Sequence, residues 1–301
     1  MDTVGPGGMA DSLSGAIEGD RVFGRGAWDM KGSLAAIMLA AKDLVSDPPA
    51  GDVIITAVVD EEYASIGAQA IVASYRADGA IVAEPTELEL VIAHKGFIWL
   101  DVETLGVAAH GSRPHLGVDA IVKMGSFLVE LERLGDELGD RPSHILLGNP
   151  SIHASLIQGG QELSSYPDRC VLSVERRTLP GETLATIETE LQTIVDTLHR
   201  RDPAFNAVIR PGLERSPLET PEDAGIVNAI RQAAGQVMNK PCSPTGVSFW
   251  TDAASLWKVG IPTVLFGPLG EGAHAAEEWV DLESVNHCAE IYLATALAFC
   301  S

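Results

Sequence analysis

The sequence predicts an α/β fold, a mostly parallel sheet covered by helices, with a smaller ferredoxin-like α+β domain inserted into it. Two apolar runs predict the sheet: Val53-Ile54-Ile55-Thr56-Ala57-Val58-Val59 and Gly79-Ala80-Ile81-Val82-Ala83. Short continuous runs rich in β-branched residues, separated by helical tracts, are the pattern of strands buried on both faces. The insertion is predicted by a change of period after residue 92. There Ile98-Trp99-Leu100-Asp101-Val102-Glu103-Thr104 alternates apolar with polar, as a half-exposed antiparallel strand does.

An Ala- and Leu-rich tract over 29–47 is a helix, stopped by Asp47-Pro48-Pro49. The strand at 53–59 follows, then a helix near 65–76 and the strand ending at Glu84-Pro85. In the inserted part a helix near 117–134 places Ile121, Met124, Phe127, Leu128 and Leu131 on one face. Strands near 152–158 and 170–177, a helix over 182–200 and a strand near 205–210 complete a β-α-β-β-α-β order. Pro211-Gly212 is read as the return, so the expected domains are 1–92 with 212–301, and 93–211. An apolar strand ending Phe266-Gly267-Pro268, a Gly-rich loop carrying His274 and an amphipathic helix over 282–299 close the chain.

A length of 301 residues and 46% hydrophobic content support two cores. A net charge of −22 argues against nucleic acid or an anionic membrane as partner, since phosphate contacts need clustered Lys and Arg. No apolar run approaches a membrane span, and the start lacks a signal peptide's basic and apolar regions, so a cytoplasmic protein is expected. Cys170, Cys242, Cys288 and Cys300 are widely spaced and read as structural thiols.

The chemistry gathers at strand ends. Glu61 and Glu62 close the first apolar run, and Asp29, Glu84 and His274 stand at comparable positions. Singly, each has an ordinary explanation: Asp29 as a helix cap, Glu84-Pro85-Thr86 as a turn. Together they lie at one edge of one sheet, where open α/β sheets build their sites. Carboxylates with one imidazole suit zinc, and also manganese or cobalt.

The motifs Gly24-Arg25-Gly26-Ala27-Trp28-Asp29-Met30-Lys31-Gly32, Asp60-Glu61-Glu62, Ala83-Glu84-Pro85-Thr86 and Phe266-Gly267-Pro268 with His274 resemble one metalloenzyme family. Its members include acetylornithine deacetylase, succinyl-diaminopimelate desuccinylase, aminoacylase and glutamate carboxypeptidase. Ala109-His110-Gly111-Ser112-Arg113-Pro114 and the run from Glu175 to Glu182 resemble the family's inserted dimerisation domain. The resemblance implies two divalent metal ions, zinc foremost, with Asp29 bridging them, Glu62 and His274 on one, and Glu84 on the other. It implies a metal-bridged water as nucleophile, Glu61 as general base, His110 reaching a dimer partner's active site to stabilise the oxyanion, Arg177 on a substrate carboxylate, and Asp2 orienting a ligand histidine upstream. The peptide bond after Asp29 is commonly cis in the family.

The resemblance implies a homodimer through 93–211 that hydrolyses the amide of an N-acyl amino acid, or alternatively acts as a dipeptidase or carboxypeptidase on a short peptide. The family's first motif is His-x-Asp-Thr, whereas this sequence starts Met1-Asp2-Thr3-Val4. On that comparison the N-terminal strands and the first ligand histidine are missing, and one metal site is expected to be incomplete. A mis-assigned start, a fragment and a natural short form are the readings left open, and the third class of function is a truncated, catalytically impaired homologue.

Overall fold

A computed structural model describes residues 3–301. The chain divides into two compact units, Met1–His94 with Leu218–Ser301, and Lys95–Pro217. The first unit begins with β1 (Ala16–Glu18), β2 (Arg21–Phe23), α1 (Gly32–Ser46), α2 (Ile66–Ser74), β3 (Ala80–Val82) and β4 (Leu90–His94). The second holds β5 (Gly96–Leu105), β6 (Ala109–His110), α3 (Ala120–Gly139), β7 (Ser151–Gly159), β8 (Ser165–Tyr166), β9 (Arg169–Thr178), α4 (Leu184–Arg201) and β10 (Asn206–Arg215). The chain then re-enters the first unit as β11 (Leu218–Glu219), α5 (Gly225–Val237), β12 (Pro244–Val247), α6 (Ala253–Lys258), β13 (Thr263–Leu265), β14 (Gly270–Glu271), β15 (Trp279–Asp281) and α7 (Leu282–Phe299).

In the first unit a mixed sheet runs β11-β4-β13-β3, with β12 also on β4. β12 with β4 and β13 with β3 are parallel, while β11 and β13 meet β4 antiparallel. Every residue of β4 is buried, which accounts for its unbroken Leu90-Val91-Ile92-Ala93-His94 sequence. Helices cover the sheet: α1 buries Ala36, Ala40 and Leu44 at helical spacing, and α7 buries Val285, Cys288, Ile291 and Tyr292. A separate antiparallel sheet, β1-β2-β15-β14, joins residues from both ends of the chain. Among the described residues no helix is long and apolar enough to cross a membrane.

The second unit has strand order β10-β5-β9-β7, all antiparallel, the arrangement expected of a split β-α-β-β-α-β unit. Its core is one cluster in which Ile98, Leu100, Val102, Leu172 and Val174 from the sheet meet Met124, Phe127 and Leu131 of α3 and Ile187 and Leu191 of α4. Asp119 caps α3 by accepting from Ile121 N at 2.9 Å and Val122 N at 3.0 Å.

Two expectations are corrected. Residues 53–59 form no strand, because no described strand offers them a ladder. Their apolar side chains are consequently open, Ile54 at 50% and Ile55 at 47% exposure. The return also comes later than Pro211-Gly212. The register slips between Pro211 and Glu214, and β10 then continues to pair with β5 as far as Arg215 opposite Phe97. A bulge absorbs the residues that read as a turn, so 212–217 belong to the second unit.

Candidate metal centre

Asp29 lies in an irregular turn, Ala27–Lys31, just before α1, and its peptide bond to Met30 is cis. Glu61 and Glu62 lie in a turn that Asp60 opens in the left-handed region at φ 68°. The turn is closed by Ser65 N donating to Asp60 O at 2.5 Å. Glu84 follows β3. Thr86 beside it accepts from Gly267 N at 2.9 Å, and Gly267 O accepts from Leu88 N at 2.8 Å. Gly267 is required there, since a Cβ would stand 2.1 Å from Glu84 O. His274, at φ 62°, sits in the loop between β14 and β15.

These elements bring three of the residues together. One donor atom each from Asp29, Glu62 and His274 lies within 4.8 Å of the others. His274 Nε2 is 3.4 Å from Asp29 Oδ2 and 3.3 Å from Glu62 Oε1. Donors at about 2.1 Å from a tetrahedral ion stand about 3.4 Å apart, so the spacing and the oxygen–nitrogen chemistry both fit zinc or a similar ion.

Glu84 adjoins this group, close enough for the charge of Asp29 to raise its proton affinity. Burial raises the Asp29 proton affinity, opposed by His274 and reinforced by Glu278. Burial raises Glu84 much further, followed by the charges of Glu61, Asp29, Asp252 and Glu62 in that order. Glu61 is thus the anion felt most strongly by Glu84, although it is outside the three-residue cluster. Carboxylates crowded around one imidazole in this way are a strong attractor for a divalent cation.

His110 and Arg177 belong to the second unit, and Asp2 lies outside the described residues. His110 is exposed; its Nδ1 accepts from Ser112 N at 3.2 Å, which leaves the ring proton on Nε2. Arg177 Nε donates to Glu175 Oε1 at 2.6 Å, and the guanidinium lies 5.4 Å from the Phe97 ring centroid. Sequence reasoning missed the buried charged residues Arg25, Asp252 and Glu278. Glu278 follows His274 by one helical turn's spacing, but nothing in an isolated Glu277-Glu278 pair signals that one of them is buried.

The model of peptidase family M20/M25/M40 matches residues 1–298. The chain is 34% identical over 303 residues to an acetylornithine deacetylase of Myxococcus xanthus, covering 96% of this chain and 76% of the relative. It is 29% identical to the acetylornithine deacetylase of Buchnera aphidicola subsp. Schizaphis graminum over 93% of this chain and 73% of that one. Its fold is similar to aminopeptidase PepT from Bacillus cereus, with TM-score 0.79, 18% identity, and coverage of 95% and 76% of the two chains. A metallo-carboxypeptidase from Sulfolobus solfataricus is similar at TM-score 0.67 and 18% identity, with coverage of 96% and 80%.

Proposed function

Because the chain belongs to peptidase family M20/M25/M40 and is therefore a metal-dependent hydrolase of amide bonds, we propose that it deacylates an N-acyl amino acid, using Glu61 as general base. The observation that carries this reading is the Asp29–Glu62–His274 cluster with Glu61 and Glu84 against it. Asp29, Glu62 and His274 would hold one divalent ion, and Asp29 with Glu84 a second. Zinc is the proposed metal, with cobalt and manganese as competitors for the same donors. When bound, such ions acidify a water and polarise the amide carbonyl.

Glu61 supplies the proton traffic. Its carboxylate takes a proton as the water's oxygen adds to the amide carbon, and delivers that proton to the nitrogen as the C–N bond breaks. The products are a carboxylate and a free amine. His110 is proposed to reach the centre of a partner copy, where its Nε2–H would donate to the oxygen that gains charge in the tetrahedral state, a contact stronger there than in the ground state. Arg177 is proposed to hold the substrate carboxylate.

We place homodimerisation on the inserted unit, where β7 is an open sheet edge carrying exposed Leu156 and Ile157. Four free cysteines support a reducing, cytoplasmic setting. The substrate class is tested by assaying N-acetyl amino acids beside dipeptides with the zinc- and cobalt-reconstituted chain. Turnover of the N-acetyl series is expected; cleavage of dipeptides alone would replace the deacylase reading with a dipeptidase.

A further inference from the structure

Glu278 has no exposed surface, yet its carboxylate is fully engaged. Oε2 accepts from Arg25 Nη1 at 2.7 Å and Gly26 N at 2.9 Å. Oε1 accepts from Trp28 N and Asp29 N, each at 3.0 Å. Three of these donors are backbone N–H groups of the loop that ends at Asp29. The other arm of Arg25, Nη2, donates to Ala275 O and, at 3.1 Å, to Pro6 O. Ala275 is the residue after His274. One buried ion pair therefore fastens the Asp29 loop to the His274 loop, from opposite ends of the sequence.

We infer that Glu278, acting with Arg25, is a positioning residue that sets the separation of Asp29 and His274 and so the affinity of the cation site. Neither donor is held by regular structure. Asp29 has φ −110° and ψ 90°, and His274 lies in the left-handed region, which is unfavourable for a residue with a Cβ. A carboxylate has only acceptor sites, so four converging donors hold it as an anion in one orientation. Glutamine offers one acceptor oxygen and would turn an NH2 group toward N–H donors. The inference rests on the metal-site reading proposed above, and it adds a residue that touches neither ion nor substrate.

The test is titration of the full chain with Co(II), followed by visible absorption without substrate, in wild type, Glu278→Gln, Glu278→Asp, Arg25→Lys and Glu182→Gln. Glu182→Gln removes an ion pair to buried Arg176 in the other unit and reports general destabilisation. Outer carboxylates that orient ligands are worth about 10- to 100-fold in metal affinity. Glu278→Gln and Arg25→Lys are expected to weaken Co(II) by that factor, with Glu278→Asp between them and wild type and Glu182→Gln unchanged. Wild-type affinity in a folded Glu278→Gln chain overturns the inference. Should that variant not fold, wild-type affinity in Arg25→Lys overturns it equally. A wild-type chain that binds no Co(II) sinks the metal reading itself, an outcome distinct from unchanged affinity in the variants.

Discussion

Between Gly24 and Asp29, backbone N–H groups and a guanidinium converge on one buried carboxylate, whereas between Val53 and Val59 no described strand pairs with the chain. Both segments deliver acids to the same centre. The first is fixed by charge-assisted hydrogen bonds inside the unit, and its neighbour Glu84 is fixed through Thr86 and Gly267. The second is anchored at its margins, by Gly51 N on Cys300 O at 2.6 Å and Gly67 N on Val59 O at 3.2 Å. Local stability follows such differences in burial and bonding. The centre is therefore built from a rigid side carrying Asp29, Glu84 and His274 and a less restrained side carrying Glu61 and Glu62.

That division separates ion holding from proton transfer and can be broken by one variant. Glu61→Gln keeps the shape but removes the base, so kcat is expected to fall by about 10²- to 10⁴-fold. Co(II) affinity should stay at the wild-type value, because Glu61 is not among the clustered donors. A parallel loss of metal would make Glu61 a ligand and dissolve the distinction between the two sides.

A pair of glycines sharpens it. A Cβ at Gly267 would meet Glu84 O at 2.1 Å, and one at Gly67 would meet Val59 N and O at 2.6 Å. Both contacts are with backbone, so sterics alone predict harm in both. On the rigid side the clash has no outlet, since Gly267 is bonded to Thr86 and Leu88 at once. On the other side residues 53–59 can shift without breaking a ladder. Gly267→Ala should cost about 3 kcal/mol and Gly67→Ala about 1 kcal/mol or less in urea unfolding. Equal losses would mean that the 53–59 segment is as tightly held as β3.

How much of this was legible follows the same line. The α+β order of the second unit could be read because its strands alternate and its helices have one apolar face, so local pattern and final environment agree. The return at Pro211-Gly212 misled because Pro and Gly are turn residues in general, yet a bulge can absorb them. Val53–Val59 misled for a different reason: apolar, β-branched composition states a preference for a ladder, and a ladder needs a second strand. Asp29, Glu62 and His274 were singled out because each stands at the end of an apolar run or in a Gly-rich loop, and their donor atoms do cluster. Arg25 and Glu278 were not, since burial of a charged residue depends on a partner far away in sequence. Glu61 and Glu62 read as the end of a strand, but they occupy the turn that Asp60 opens in the left-handed region.

The smallest expected effect concerns the support beneath the rigid side. Tyr292 of α7 donates its hydroxyl to Phe266 O at 2.6 Å, one residue before Gly267. Beside it Cys288 is fully buried, and burial pushes its thiol up to about 12, against a lowering hydrogen bond with Tyr292. Burial raises the Tyr292 hydroxyl as well, followed by the charge of Cys288. In the unfolded chain the thiol loses its proton near pH 8.5, so between there and about 12 the folded state binds more protons than the unfolded one. Folding stability must then fall as pH rises through that window, and Tyr292 adds the same sign at higher pH. Cys288→Ala removes the thiol's part: its melting temperature should start lower because of the cavity, but decline less steeply than wild type from pH 8.5 to 10.5. Parallel slopes in the two proteins would show that the Cys288 thiol is not the source of the alkaline weakness.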